Sequence, residues 1–171
     1  MAVSGADGNG LIYNYNDYGQ MKGAFLAVYK SSTNSMNIQY SLPASVLYRY
    51  NSKGQTDRIM SDTATYYFFY DVFGNTTSIN VDDRTLVSYQ YAANNGKMTK
   101  QTYGNGNFIE FLYDGVDRVV GICYNGSTTA RFSYIYNANG QITKHTDLSN
   151  GINYAYSYDA DGKLTQTVAK R

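Results

Sequence analysis

Apolar positions recur along this chain with two periods, a short one of two residues and a long one of about twenty-two. The short period is plain in Phe132-Ser133-Tyr134-Ile135-Tyr136 and in Tyr154-Ala155-Tyr156-Ser157-Tyr158, where every second residue is aromatic. Alternation of this kind places one set of side chains on a single face of a strand. Each run ends in a turn sequence, Asn137-Ala138-Asn139-Gly140 or Asp159-Ala160-Asp161-Gly162. An Asp or Asn opens such a turn by accepting bonds from backbone N–H groups further on, and Gly closes it where a positive φ is required. The pattern predicts a hairpin loop built on a type I turn followed by a left-handed residue.

The long period appears when the tyrosine before each turn is taken as an anchor. The anchors are Tyr15, Tyr50, Tyr70, Tyr91, Tyr113, Tyr136 and Tyr158, with spacings of 35, 20, 21, 22, 23 and 22 residues. A near-constant spacing in this range marks a repeat architecture. Two residues upstream stand Tyr13, Tyr48, Phe68, Tyr89, Phe111, Tyr134 and Tyr156, all aromatic in a chain that is 16% aromatic. Four upstream stand Leu11, Val46, Tyr66, Val87, Ile109, Phe132 and Tyr154, all apolar. The turn glycines are Gly19, Gly54, Gly74, Gly96, Gly140 and Gly162; the unit at Tyr113 carries Asp117 in that place, and Asp117 is expected to be left-handed. The long first gap suggests a worn extra unit at Tyr29, with Asn34 in the glycine place.

After each turn a threonine-rich segment returns, as in Ile142-Thr143-Lys144-His145-Thr146, and Asn105-Gly106, Asn125-Gly126 and Asn150-Gly151 mark second turns. Each unit therefore reads as strand, turn, strand, turn. Seven units give roughly fourteen strands, and at about 4.8 Å per strand a sheet on the order of 65 Å wide, which must twist, coil or close. The fold class expected is all-β: tandem antiparallel hairpins in a wide, coiled or spiralling sheet. The chain reads as a single array over 1–171, with clear repeats over 50–168 and divergent ones over 9–49. Gln20 to Tyr29 is the least clear stretch, since Gly23 weakens a helical reading there. Half-units at both ends are expected to leave sheet edges that pair with other parts of a longer array or with another copy.

Composition narrows the chemistry. Fourteen Lys and Arg stand against thirteen Asp and Glu, scattered singly, which disfavours nucleic acid and anionic membranes as partners. No apolar run is long enough for a membrane-spanning helix, and the first residues lack the basic and apolar regions of an export signal. The lone Cys123, in Val119-Val120-Gly121-Ile122-Cys123-Tyr124, reads as a buried small hydrophobe on a strand. With a single histidine, His145, there is no His-based metal site or Ser/His/Asp triad, so His145 is read as structural or solvated. Asp82-Asp83 falls where a second turn belongs, and Asp159-Ala160-Asp161-Gly162 lacks most of the ligands of a calcium loop. Gly104-Asn105-Gly106-Asn107 is a turn and not a phosphate loop, as no Lys-Ser/Thr or helix follows. No catalytic, cofactor or metal site is assigned, and the chain is expected not to be an enzyme. The tyrosines carry the one real contest. They can stack across neighbouring strands, or Tyr134, Tyr154 and Tyr156 can contact a glycan. Identical recurrence in every unit favours stacking.

Tyr-(Asp/Asn)-x-x-Gly-x-apolar, recurring with variations in seven units and with intervening Asn-Gly turns, resembles the YD repeats of Rhs proteins, of the C components of insecticidal toxin complexes, of wall-associated bacterial proteins and of the teneurins. The resemblance is strongest from Tyr50 to Val168. It implies a spiralling sheet that closes into a hollow shell, enclosing a toxic C-terminal domain in the bacterial members. It also implies a secreted or cell-surface protein, and carbohydrate or cell-surface binding has been ascribed to such repeats. Two departures limit this. The shell-closing segment around Asp-Pro-x-Gly has no counterpart, the one proline being Pro43 in Ser41-Leu42-Pro43-Ala44, and seven units are fewer than a full shell needs. Enclosure is thus implied for a longer parent. The rival reading is a carbohydrate-binding aromatic repeat module, against which the absence of Trp counts.

Overall fold

The computed structural model describes residues 2–4, 10–30 and 39–171, with side chains described for 10–26 and 45–171. Within them the chain forms fifteen strands and no helix. It divides into two compact units, Met1–Leu86 and Val87–Arg171. The first holds β1 (Ala2–Ser4), β2 (Gly10–Tyr15), β3 (Met21–Lys30), β4 (Gln39–Tyr50), β5 (Thr56–Ser61), β6 (Thr65–Tyr70) and β7 (Thr76–Val81). Strand β8 (Arg84–Tyr91) begins there and runs into the second unit. The second continues with β9 (Met98–Tyr103), β10 (Phe108–Tyr113), β11 (Val119–Tyr124), β12 (Phe132–Tyr136), β13 (Ile142–Asp147), β14 (Ile152–Tyr158) and β15 (Leu164–Lys170). The additional strand over the expected fourteen is the short β1.

Each strand pairs antiparallel with its sequence neighbours, from β1 to β7 in the first unit and from β8 to β15 in the second. The tandem hairpins expected from the period-two runs are therefore present. The turns have the expected geometry too. In the hairpin at Tyr136, the Gly140 N–H donates to the Asn137 carbonyl at 3.1 Å and the Asn137 N–H to the Gln141 carbonyl at 2.9 Å. All six turn glycines have φ between 69° and 94°, and Asp117 has φ 65°.

One regular feature was not expected. Every hairpin slips register immediately before its anchor: at Asn14/Tyr15, Arg49/Tyr50, Phe69/Tyr70, Gln90/Tyr91, Leu112/Tyr113, Ile135/Tyr136 and Ser157/Tyr158. In β12 and β13, Ile135 faces Lys144 and Tyr136 faces Ile142, so Thr143 is left over as a bulge. The bulge leaves a ladder carbonyl without its N–H. Thr143 answers with its own hydroxyl, donating to the Ile135 carbonyl at 3.2 Å, and Thr99 and Thr165 do the same to Gln90 and Ser157. In these three hairpins the returning strand places threonine where its hydroxyl completes the ladder.

The stretch from Gln20 to Tyr29 is strand, not helix. The repeat pattern also changes at Tyr29. Strands β3 and β4 pair directly, with Tyr29 opposite Tyr40 and Lys30 opposite Gln39, so Tyr29 ends a strand at the edge opposite the anchor turns. The 35-residue gap is taken up by long strands of 10 and 12 residues. Asn34 lies outside the described residues.

Two faces result. The anchor face carries each anchor with its residues two and four upstream; the reverse face carries the alternate positions. Most anchor-face rings are half-buried, Tyr15 and Tyr66 being exposed, whereas Phe69, Leu112 and Ile135 on the reverse face are 47%, 47% and 56% exposed. Cys123, at 4% exposure, is the one fully buried apolar side chain among the described residues. Stability rests on hairpin pairing and on rings packed along one face, not on an enclosed core.

Candidate functional site

The residues singled out by the sequence are the anchors, the turn residues and the aromatic patch near Tyr134. Five anchors share one bond. The hydroxyls of Tyr50, Tyr70, Tyr113, Tyr136 and Tyr158 donate to the backbone carbonyls of Met21, Thr56, Met98, Val119 and Ile142 at 2.7–2.8 Å. Each acceptor is the first residue after the preceding unit's turn. The anchor thus reaches back across one hairpin and pins the start of its returning strand. Phenylalanine would fill the same space but make no such bond, which explains Tyr at this position and either Tyr or Phe two residues upstream. Tyr91 stands at the same place in its hairpin. Tyr15 is 52% exposed and makes no such bond among the described residues.

The turns are linked to one another in the same way. Where the residue after the anchor is Asn, the residue after glycine is Gln: Asn16 with Gln20, Asn51 with Gln55, Asn137 with Gln141. The Asn side-chain amide donates to the Gln carbonyl at 2.7–3.0 Å. The Gln amide then donates onward to the carbonyl of the next unit's turn glycine, Gly54, Gly74 or Gly162, at 2.8–3.0 Å. Where the opening residue is Asp, its partner is a pure or available donor: Asn75 to Asp71 at 2.9 Å, and Arg118 to Asp114 at 2.8 Å. Arg118 also reaches the Asn137 carbonyl at 3.2 Å and lies over the Tyr136 ring. These bonds hold the Asp71 carboxyl below its ordinary pKa, first through the Asn75 side chain, and the Asp114 carboxyl likewise, first through the Arg118 backbone N–H.

The turn at Tyr91 is one residue longer and opens with Ala92, so it has neither device. There Asn95 donates to the Asp117 carboxylate at 2.7 Å. This accounts for an Asp in the glycine place: left-handed backbone costs a non-Gly residue roughly 1–2 kcal/mol, offset by a charge-assisted bond that ties two turns together.

The aromatic patch is a row of rings on the anchor face of the second unit. His145 pairs with Tyr134 on one side and Tyr154 on the other. Its ring stacks on both, with centroids at 5.0 and 5.4 Å and planes within 15° of parallel. Phe132 packs against His145 at 6.0 Å and against Tyr124 at 6.3 Å, while Arg131 covers Tyr124 and Phe132. Burial, then the neighbouring Tyr136, Tyr124, Tyr156 and Asp147, push the Tyr134 phenol above its ordinary value. His145 is therefore a stacking member of the row, and its Nε2 is buried without a hydrogen bond. Tyr156 lies opposite Thr167, outside the stack.

The other candidate groups named by the sequence do not come together among the described residues. Cys123 pairs with Glu110 on the reverse face, opposite to His145, so the two never meet. Asp82 is a turn residue with φ 47° whose carboxylate accepts the Thr65 N–H at 3.0 Å. Asp159 accepts the Lys163 N–H at 2.8 Å, and Asp161 lies 4.0 Å from the Lys163 ammonium. Among the described residues no three His, Cys, Asp or Glu side chains gather as a metal site.

Residues 136–170 match the family profile described as RHS Repeat. That segment holds the last two anchors, their turns and the strands between them. Over this segment the chain is similar to RHS-repeat proteins. The chain also aligns over 162 residues, at 29% identity, with the tRNA3(Ser)-specific nuclease WapA of Bacillus spizizenii. The alignment covers 92% of this chain and 7% of that protein. Among solved structures, TcdB2-TccC3 superposes with a TM-score of 0.67 at 14% identity, over 90% of this chain and 9% of that one. The Tc holotoxin pore of Photorhabdus luminescens, carrying a TccC3 mutation, gives 0.62 at 14% identity over 100% and 10%. At such identities the likeness is one of fold. The chain spans less than a tenth of the WapA protein and about a tenth of these structures.

Proposed function

We propose that this chain is a non-enzymatic wall segment, a single continuous array of RHS repeats that in a longer secreted or cell-surface protein helps to enclose another domain. The observation that carries the reading is where the chemistry-bearing groups are used. Five anchor hydroxyls, three turn glutamines and the Arg118 guanidinium bond from one hairpin to the next, while the carboxylates of Asp71 and Asp114 brace their own turns, so these groups serve the array and not a substrate. The likeness of fold to parts of TcdB2-TccC3 supports a wall role, and the small share of each relative that is covered supports a larger parent. The enclosed domain, a toxin in the bacterial members that the repeats resemble, would lie elsewhere in that parent. Repeat-defining roles fall to the seven anchors and the turn glycines named above.

The carbohydrate-binding alternative needs ring faces open to a sugar. Tyr134 and Tyr154 present their faces to His145, so the stack competes with a sugar for them. A glycan array with the wild type, Tyr134→Ala and Tyr156→Ala separates the two readings. The wall reading expects no saturable binding and a loss of stability in Tyr134→Ala. Micromolar glycan binding, lost in both variants while they stay folded, would overturn it.

A further inference from the structure

On the reverse face of the first unit, Arg49 of β4 and Arg58 of β5 are direct cross-strand partners. Such partners stand about 4.5–5.5 Å apart at Cα and their side chains leave the sheet on the same side, so like charges there repel. Natural sheets place an acid opposite a base at such a pair. Here no acid compensates. Among the described residues the ion pairs are Lys100 with Glu110, Arg118 with Asp114 and Lys163 with Asp161, all in the second unit. Asp62 is engaged by the backbone N–H and hydroxyl of Ser45, and Asp57 acts on Tyr70 on the anchor face.

Neither guanidinium group has a protein acceptor among the described residues. Arg58 lies over the Tyr67 ring at 4.7 Å, and its Nε is buried without an acceptor. Arg49 is exposed and makes no hydrogen bond or ion pair among the described residues. Next along the row, Tyr67 pairs with Asn80, whose Oδ1 is likewise buried without a partner. A guanidinium is a planar fork of donors that fits an oxyanion, and one held against an aromatic ring is already oriented. Two such forks, side by side and carrying two uncompensated charges, match a doubly charged tetrahedral oxyanion better than a single carboxylate.

We propose that Arg49 and Arg58, with Arg58 held in place by Tyr67, form an oxyanion-binding site of the phosphate or sulfate class on the reverse face. The bound anion bridges the two strands and removes their repulsion. The test titrates inorganic phosphate, sulfate and acetate into the folded chain at fixed ionic strength, with chloride as the reference. Arginine Nε–Hε NMR signals report the site, and the melting temperature reports linkage to stability. Phosphate and sulfate are expected to shift the Arg58 signal saturably, at concentrations at least tenfold below acetate, and to raise the melting temperature. In Arg49→Gln both effects disappear. In chloride alone that variant melts above the wild type, because the like-charge contact is gone. Phosphate shifts no larger than those of chloride, acetate binding as tight as phosphate, or undiminished binding in Arg49→Gln would each overturn the proposal.

Discussion

The anchor tyrosine does two things with one side chain. Its ring packs on the anchor face, and its hydroxyl holds the first carbonyl of the preceding return strand. For Tyr136 that bond runs to Val119 at 2.7 Å. Removing only the hydroxyl keeps the ring, including the contact with the Arg118 guanidinium, and leaves the carbonyl without this donor. A net hydrogen bond of this kind contributes about 1 kcal/mol. Tyr136→Phe is therefore expected to lower stability by about 1 kcal/mol, read as a shift in urea midpoint at unchanged slope. Tyr15→Phe, at the anchor without such a bond among the described residues, is expected to change it little. Equal effects at both positions would mean that the hydroxyl bond is not what fixes tyrosine here.

At the scale of the element, the turn obeys a donor and acceptor rule. Asn opposite Gln, and Asp opposite the donor Asn75 or Arg118, are two solutions to the same geometry, and mixing Asp with Gln is expected to fail. Asn137→Asp faces the Gln141 carbonyl with a second acceptor. If the Gln amide turns to answer it, its bond to the Gly162 carbonyl is lost. Gln141→Arg alone sets a guanidinium against an amide. The pair Asn137→Asp with Gln141→Arg rebuilds the arrangement of Asp114 and Arg118. Each single change is expected to cost about 1 kcal/mol and the double change less than either, a coupling within the range known for neighbouring residues. Chemical denaturation of the four proteins measures it, and additive costs would sink the rule. Strands and turns were legible in the sequence because period-two alternation and the Asx-Gly pair each encode a local conformation. The seven bulges were not, since a bulge is a matter of which residue faces which across the hairpin. Thr143 reads as an ordinary strand residue until its partner strand is in place. The anchor bond was hidden for the same reason: its acceptor is a backbone carbonyl, which no residue type announces. Tyr29 misled because a tyrosine at a strand end looks alike at either edge of the sheet.

Over the whole chain, titratable groups used as connectors set a pH window for the fold. Hydrogen bonds hold Asp71, Asp114 and Asp147 below the ordinary 3.8, the last chiefly through the Ser149 hydroxyl. Their contribution is complete above that value and is lost as pH falls through the lowered folded values. At the other end, burial raises Tyr70, Tyr113 and Tyr134 above the ordinary 10.0, helped by Asp57 at Tyr70, by Asp117 at Tyr113 and by neighbouring phenols at Tyr134. A phenol whose folded value is raised contributes stability that is complete below pH 10.0 and lost as pH climbs through the folded value. Ionisation also removes the proton that Tyr70 and Tyr113 donate to Thr56 and Met98. Melting temperature is therefore expected to be flat from about pH 5 to 9 and to fall on both sides. With Phe at all three tyrosine positions, the plateau should be lower and the alkaline fall shallower, while the acid fall stays in place. An alkaline limb as steep in that variant as in the wild type would show that these phenols do not govern it.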